Sequence, residues 1–273
     1  MVSARARGVR LAYTLHNLEQ HEGRHGTLNR WANQALFRWA DAVHVHDDSV
    51  AEAAKAAGVP AGRLWVVPHG SYVGCYPNTI SRVEARERLG LRPADFVYLT
   101  LGGVRPYKGI EDLIAAFRTL PDSDAGLLIA GHAHEPAYAE EVRGLAAGDE
   151  RIRMHLQHVA DDEIQCFMNA SDVCVLPYRH ATTSGAAILA LSFGRPIVVP
   201  ALGPFPGLVA AAGGLLYEPA SPASLAAALR ESRSAGGPAA AERQAAYLES
   251  IAWERVARGH AAMYHAIAGG GAR

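Results

Sequence analysis

The chain has 273 residues, 49% of them hydrophobic and 19% charged, which supplies one large or two ordinary cores and carries no signature of disorder. Lys and Arg number 26 against 27 Asp and Glu, so bulk charge argues for neither nucleic acid nor an anionic membrane as partner. Three widely spaced cysteines (Cys75, Cys166, Cys174) show no metal-ligand spacing and fit a reduced, cytoplasmic protein. Arg5, Arg7 and Arg10 are followed by no apolar segment of a secretory signal, and no apolar run reaches the length of a membrane span.

In chain order, strands are expected at Val9–Leu15, Ala42–His46 and Leu64–Val67, with helices over 28–40 and 49–57. The stretch PHGSYVGCYPNTIS, residues 68–81, reads as a linker between two lobes, placed at 1–73 and 74–273. Beyond it, apolar strand patterns at 96–101, 126–130, 152–156, 173–176, 197–199 and 215–217 alternate with helical patterns at 110–120, 137–147, 161–170, 185–193 and 205–212. A single long helical stretch is expected from 239 to 268. Such alternation predicts an α/β fold, a parallel sheet with helices on both faces.

The segment FVYLTLGGVRPYKGIEDLIAAF, residues 96–117, is a buried strand, a glycine-rich loop and an amphipathic helix in succession. Gly102, Gly103 and Gly109 allow close backbone approach, and Arg105 and Lys108 add positive charge at a helix start. That combination fits an anion site at the carboxyl edge of a sheet, where such folds bind ligands. The competing reading is an ordinary turn with solvated cations. Thr182, Thr183 and Ser184 precede an all-apolar helix that begins at Gly185, offering hydroxyls and free N–H groups for a second anion-binding end or simply a well-capped buried helix.

The ordered set LGGVRPYKGIEDLIAAF, LLIAGH, RIRMHLQHVADDEIQCFMNASDVCVLPY, SGAAILALSFGRPIVVP and GGLLYEP resembles the family-4, or group 1, glycosyltransferases of GT-B fold. Upstream, LAYTLHN, ADAVHVHDDSVAEAA and LWVVPHGSY resemble the second half of that family's N-terminal domain. The resemblance implies two Rossmann-like lobes with parallel sheets facing a cleft, the N-terminal one incomplete. It implies a UDP- or GDP-sugar donor on the C-terminal lobe, a glycan or glycolipid hydroxyl as acceptor, and no metal or other cofactor. The donor contacts it implies are Gly102, Gly103, Arg105, Lys108, His158, Tyr178, Thr182, Thr183, Ser184 and Gly185. On the acceptor side it implies His16 and His21, with His16, Arg105 and Lys108 in catalysis.

Two departures stand out. The family carries two glutamates before a Gly-x-Pro; anchored on Gly194-Arg195-Pro196, those positions hold Ala181 and Leu189, and no glutamate occurs between Glu163 and Glu218. The first lobe also opens near the middle of the family's pattern, which leaves room for an oligomer or partner to cover it. His44 and His46 alternate on one strand face ahead of Asp47 and Asp48, a spacing that suggests metal but is better explained by a strand end feeding a capped helix. The leading expectation is sugar transfer in polysaccharide or glycoconjugate assembly by a cytoplasmic enzyme with room for peripheral membrane contact. The alternative is a noncatalytic nucleotide-binding or partner-stabilised fragment. A dinucleotide-dependent oxidoreductase fails, because no G-x-G-x-x-G follows a strand with an acidic residue about twenty positions on.

Overall fold

The structure, a computed structural model, describes residues 7–16 and 34–269. The chain forms two compact units, Met1–Gly70 with Ser250–Arg273, and Ser71–Glu249.

In the first unit, strands β1 (Ala12–Thr14), β2 (Ala42–Val45) and β3 (Leu64–Val66) lie parallel in that order. The central strand is buried on both faces, as its alternating Ala, Val and His require in a covered parallel sheet. Helix α1 (Asp48–Ala56) follows β2; the Asp47 carboxylate accepts from the Ser49 N–H at 2.7 Å and so caps its first turn. Of the expected helix over 28–40, residues 34–39 are helical and the earlier ones lie outside the described residues.

The second unit holds six parallel strands: β4 (Phe96–Leu101), β5 (Ala125–Ala130), β6 (Ile152–His155), β7 (Val173–Val175), β8 (Ile197–Pro200) and β9 (Leu215–Tyr217). Their order, β6-β5-β4-β7-β8-β9, is the doubly wound arrangement. Between the adjacent strands β4 and β7 the winding reverses, and folds of this kind bind ligands at the carboxyl edge beside such a switch point. Helices α2 (Arg82–Arg88), α3 (Ile110–Arg118), α4 (Pro136–Ala146), α5 (Ile164–Ala170), α6 (Gly185–Ser192), α7 (Phe205–Ala212) and α8 (Pro222–Ser232) cover the sheet. One apolar layer gathers Tyr98, Leu113, Phe117 and Leu229, the other Leu99, Phe167, Leu191 and Phe205.

A buried ion pair ties α2 to the amino edge of the sheet. Arg86, 2% exposed, donates to Asp172 at 2.8 Å and to the Ala170 carbonyl at 3.0 Å, while Asp172 also accepts from the Val97 N–H at 2.8 Å.

The expected strands and the helices at 185–193 and 205–212 are present within a residue or two at each end of the second unit's elements. The expected single helix over 239–268 is instead two, α9 (Pro238–Ser250) and α10 (Trp253–Gly269). Ile251 is buried at the break, and the Ala252 carbonyl accepts from Arg255 and Val256 to start the second helix. Helix α10 groups with the first unit.

Candidate functional site

At the carboxyl end of β4 the chain passes Gly102 and Gly103, makes a 3-10 turn over Pro106–Lys108 and enters α3. Two glycines are sterically required. Gly109 has φ +64°, and a Cβ there would stand 2.1 Å from the Pro177 carbonyl oxygen. At Gly131, φ +135°, a Cβ would stand 1.9 Å from the Gly102 carbonyl. The loops after β4, β5 and β7 are therefore pressed together, backbone on backbone.

Lys108 sits in this knot. Its ammonium lies 3.8 Å from the Tyr178 ring centroid and 5.2 Å from that of Tyr107. Burial lowers its pKa, and Arg105 works in the same direction while Tyr107 opposes it. A desolvated cation held by a ring face is attracted strongly to any anion that reaches it. Arg105, by contrast, has its guanidinium Nε 3.9 Å from where a Gly103 Cβ would be, so it stands over the glycines themselves.

Tyr178 is buried, and burial pushes its hydroxyl up to about 12. Ser184 bears on that ionisation, yet among the described residues the hydroxyl finds no partner in hydrogen-bonding geometry. The Ser184 hydroxyl accepts from the Ala187 N–H at 3.2 Å and caps α6. Thr182 and Thr183 are half-buried just before it. Arg179 braces the knot: it donates to Asp112 at 3.0 Å and Glu111 at 3.4 Å, and its N–H donates to the Tyr107 carbonyl at 2.9 Å.

Beside the glycines lies a cavity of about 560 Å³. Gly102, Gly103, His158 and Gly185, all expected from the sequence, line it. Arg105, Lys108, Tyr178, Thr182, Thr183 and Ser184 are not among its walls. Sequence reasoning missed Tyr72 and Tyr76 as wall residues, since both lie in the stretch read only as a linker, whereas Leu189 lines the cavity at the position where the family carries its second glutamate. A larger cavity of about 810 Å³ opens at the amino ends of β8 and β9, near Ile197, Leu215 and Arg243. Its walls are mainly alanine, glycine and aliphatic side chains, with Ser232, Ser234, Arg243 and Gln244 as the polar ones.

In the first unit, His16 follows β1 and is exposed, 5.6 Å between ring centroids from His46. His46 in turn contacts His44 at 4.6 Å and His69 at 5.7 Å, and His44 contacts His260 of α10 at 4.6 Å. The Val67 carbonyl accepts from His44 Nε2 at 2.8 Å and from His46 Nδ1 at 3.3 Å. That assignment leaves His44 Nδ1 to accept from the Thr14 hydroxyl at 3.3 Å. Burial, reinforced by the neighbouring imidazoles, lowers the pKa of His44 and brings His46 to about 4. Among the described residues no group of His, Cys, Asp or Glu has the arrangement to hold a metal ion. His21 lies outside the described residues.

Residues 95–233 match the model of the family described as "Glycosyl transferases group 1", and residues 1–70 match the "Glycosyl transferase 4-like domain". The chain belongs to the group 1 glycosyltransferases. Within that family it is 30% identical over 195 residues to a GDP-mannose:glycolipid 4-beta-D-mannosyltransferase of Xanthomonas campestris pv. campestris, covering 71% of this chain and 50% of the relative. A D-inositol 3-phosphate glycosyltransferase of Streptomyces griseus is 30% identical over 248 residues, covering 85% of this chain and 51% of the relative. The chain thus spans about half the length of these curated relatives. The fold is GT-B-like: HepE of Anabaena, solved with UDP and glucose, matches with TM-score 0.85 at 22% identity, over 97% of this chain and 74% of that one. Sucrose-phosphate synthase of Thermosynechococcus elongatus matches with TM-score 0.82 at 22% identity, over 97% and 70%. Among the described residues no helix of this family member is long and apolar enough to cross a membrane.

Proposed function

We propose that this group 1 glycosyltransferase moves a sugar from a nucleoside diphosphate sugar to a hydroxyl acceptor in glycoconjugate or polysaccharide assembly. The observation that carries the reading is the Lys108 ammonium, desolvated against Tyr178 in a loop knot beside a cavity of nucleotide size. As the bond from the anomeric carbon to the diphosphate oxygen breaks, its electron pair goes to the leaving diphosphate. Lys108, Arg105 and the free N–H groups at the start of α6 stabilise that charge. The acceptor oxygen forms the new bond to the same carbon, and its proton passes to a base, which for an inverting transfer is most naturally His16. The Xanthomonas relative is named for GDP-mannose and a glycolipid, which supports GDP as the nucleotide and a lipid-linked glycan as the acceptor.

The test is calorimetric titration of the purified chain with GDP and with UDP, repeated on Arg105→Ala and Lys108→Ala. Binding of GDP over UDP, weakened in both variants, is expected. Binding of neither nucleotide to the unaltered chain removes the reading and favours a noncatalytic fragment.

A further inference from the structure

The cavity walls bear on how a nucleotide is held, an inference that rests on the donor reading above. A nucleotide's ribose presents a 2′,3′-diol, and doubly wound sheets commonly meet the 2′-hydroxyl with an Asp or Glu carboxylate. No carboxylate lines this cavity among the described residues. The acidic side chains at the start of α3 are committed elsewhere: Glu111 accepts from the Tyr138 hydroxyl at 2.8 Å, and both Glu111 and Asp112 pair with Arg179. The wall that α6 presents, Gly185, Ala186 and Leu189, has no polar side chain at all.

The Tyr72 hydroxyl is laid across that wall, 3.0 Å from where a Cβ on Gly185 would be. Its placement is built rather than incidental. The Tyr72 N–H donates to the Ser192 hydroxyl at 3.0 Å, which donates onward to the Ile188 carbonyl at 2.7 Å. Further along the same segment, the Thr79 and Ile80 N–H groups both donate to the Gln165 side-chain oxygen, at 2.8 and 3.2 Å. The Tyr72 ring leans on Tyr76 with centroids 5.8 Å apart. Ribose is the unit bonded directly to the diphosphate, so with phosphates at Gly102 and Gly103 it falls within reach of the neighbouring walls.

We propose that Tyr72 is the specificity-determining residue for the ribose, its hydroxyl bonding the diol where a carboxylate would otherwise stand. A neutral phenol supplies one ordinary hydrogen bond rather than a charge-assisted one, so discrimination is shallow.

The experiment is calorimetric titration with GDP, UDP and their 2′,3′-dideoxy counterparts, on the unaltered chain, Tyr72→Phe and Tyr76→Phe. The unaltered chain is expected to prefer the ribonucleotide by roughly three- to tenfold, the worth of one neutral hydrogen bond. Tyr72→Phe should erase that preference while binding the dideoxynucleotide as before, and Tyr76→Phe should keep it. Equal binding of both forms by the unaltered chain, or an undiminished preference in Tyr72→Phe, overturns the assignment and leaves the donor reading intact. Binding of no nucleotide overturns both.

Discussion

The Lys108 ammonium rests 3.8 Å from the centre of the Tyr178 ring, and the Tyr178 hydroxyl itself reaches no hydrogen-bonding partner among the described residues. On the donor reading proposed above, Tyr178 acts on an anion through Lys108, as a ring that fixes where the charge stands. A desolvated cation–π contact is worth about 2 kcal/mol. Tyr178→Phe should keep nucleotide affinity within about twofold, whereas Tyr178→Leu should lower it by roughly tenfold or more, read by calorimetry. Equal losses in both variants would assign the effect to the hydroxyl instead.

Gly109 is fixed by the carbonyl that faces it. Gly109→Ala combines a φ of +64° with a Cβ 2.1 Å from the Pro177 oxygen, so either the turn or the β7 loop must shift. A loss of at least about 1–3 kcal/mol of stability is expected, measured as a lowered denaturant midpoint. Nucleotide affinity should fall with it, because Lys108 is the preceding residue.

Arg86 is a buried cation with four acceptors in reach, the Asp172 carboxylate and the carbonyls of Ala170, Arg92 and Pro93. Arg86→Ala takes this donor from the carbonyls and leaves Asp172 with only Arg82 and the Val97 N–H, and should cost about 3 kcal/mol in chemical denaturation. Asp172 also pairs with the half-exposed Arg82 at 2.6 Å. Arg82→Ala should therefore cost far less, and similar losses in the two variants would contradict this account.

The imidazoles of the first unit predict an acid limb. Folding lowers His46 to about 4 from its ordinary value of 6.5, so on acidification the unfolded chain takes up the proton first. Stability is undiminished above about pH 6.5 and falls as the pH drops toward 4, because protons then favour the unfolded chain. Melting temperature followed across that range should decline, and His46→Gln should flatten the decline. An unchanged slope in the variant would place the acid sensitivity elsewhere.

Most of the second unit was legible in the sequence because its strands are short apolar runs and its helices carry clear starts. Ser184 before α6 and the Phe96–Leu101 run show this plainly. Helix α8 had the same kind of start in Ser221 and Pro222, and the Ser221 hydroxyl does cap it, although no helix was expected there. The division of the tail into α9 and α10 had no such mark, since neither glycine nor proline interrupts Glu249–Trp253. Its cause is tertiary: Ile251 is drawn into the interior. For the site, the glycines and cations were readable as chemistry next to one another in the chain. Tyr72 and the His44–His260 contact were not, because they join segments that only folding brings together.

The grouping of Ser250–Arg273 with Met1–Gly70 means that the second unit is an insertion in the covalent thread of the first. Residues 71–249 can be encoded as one uninterrupted cassette, whereas the first unit needs the segments on both sides of it. A stop codon or a bulky insertion within α10 would therefore injure the unit whose strands lie ahead of residue 71.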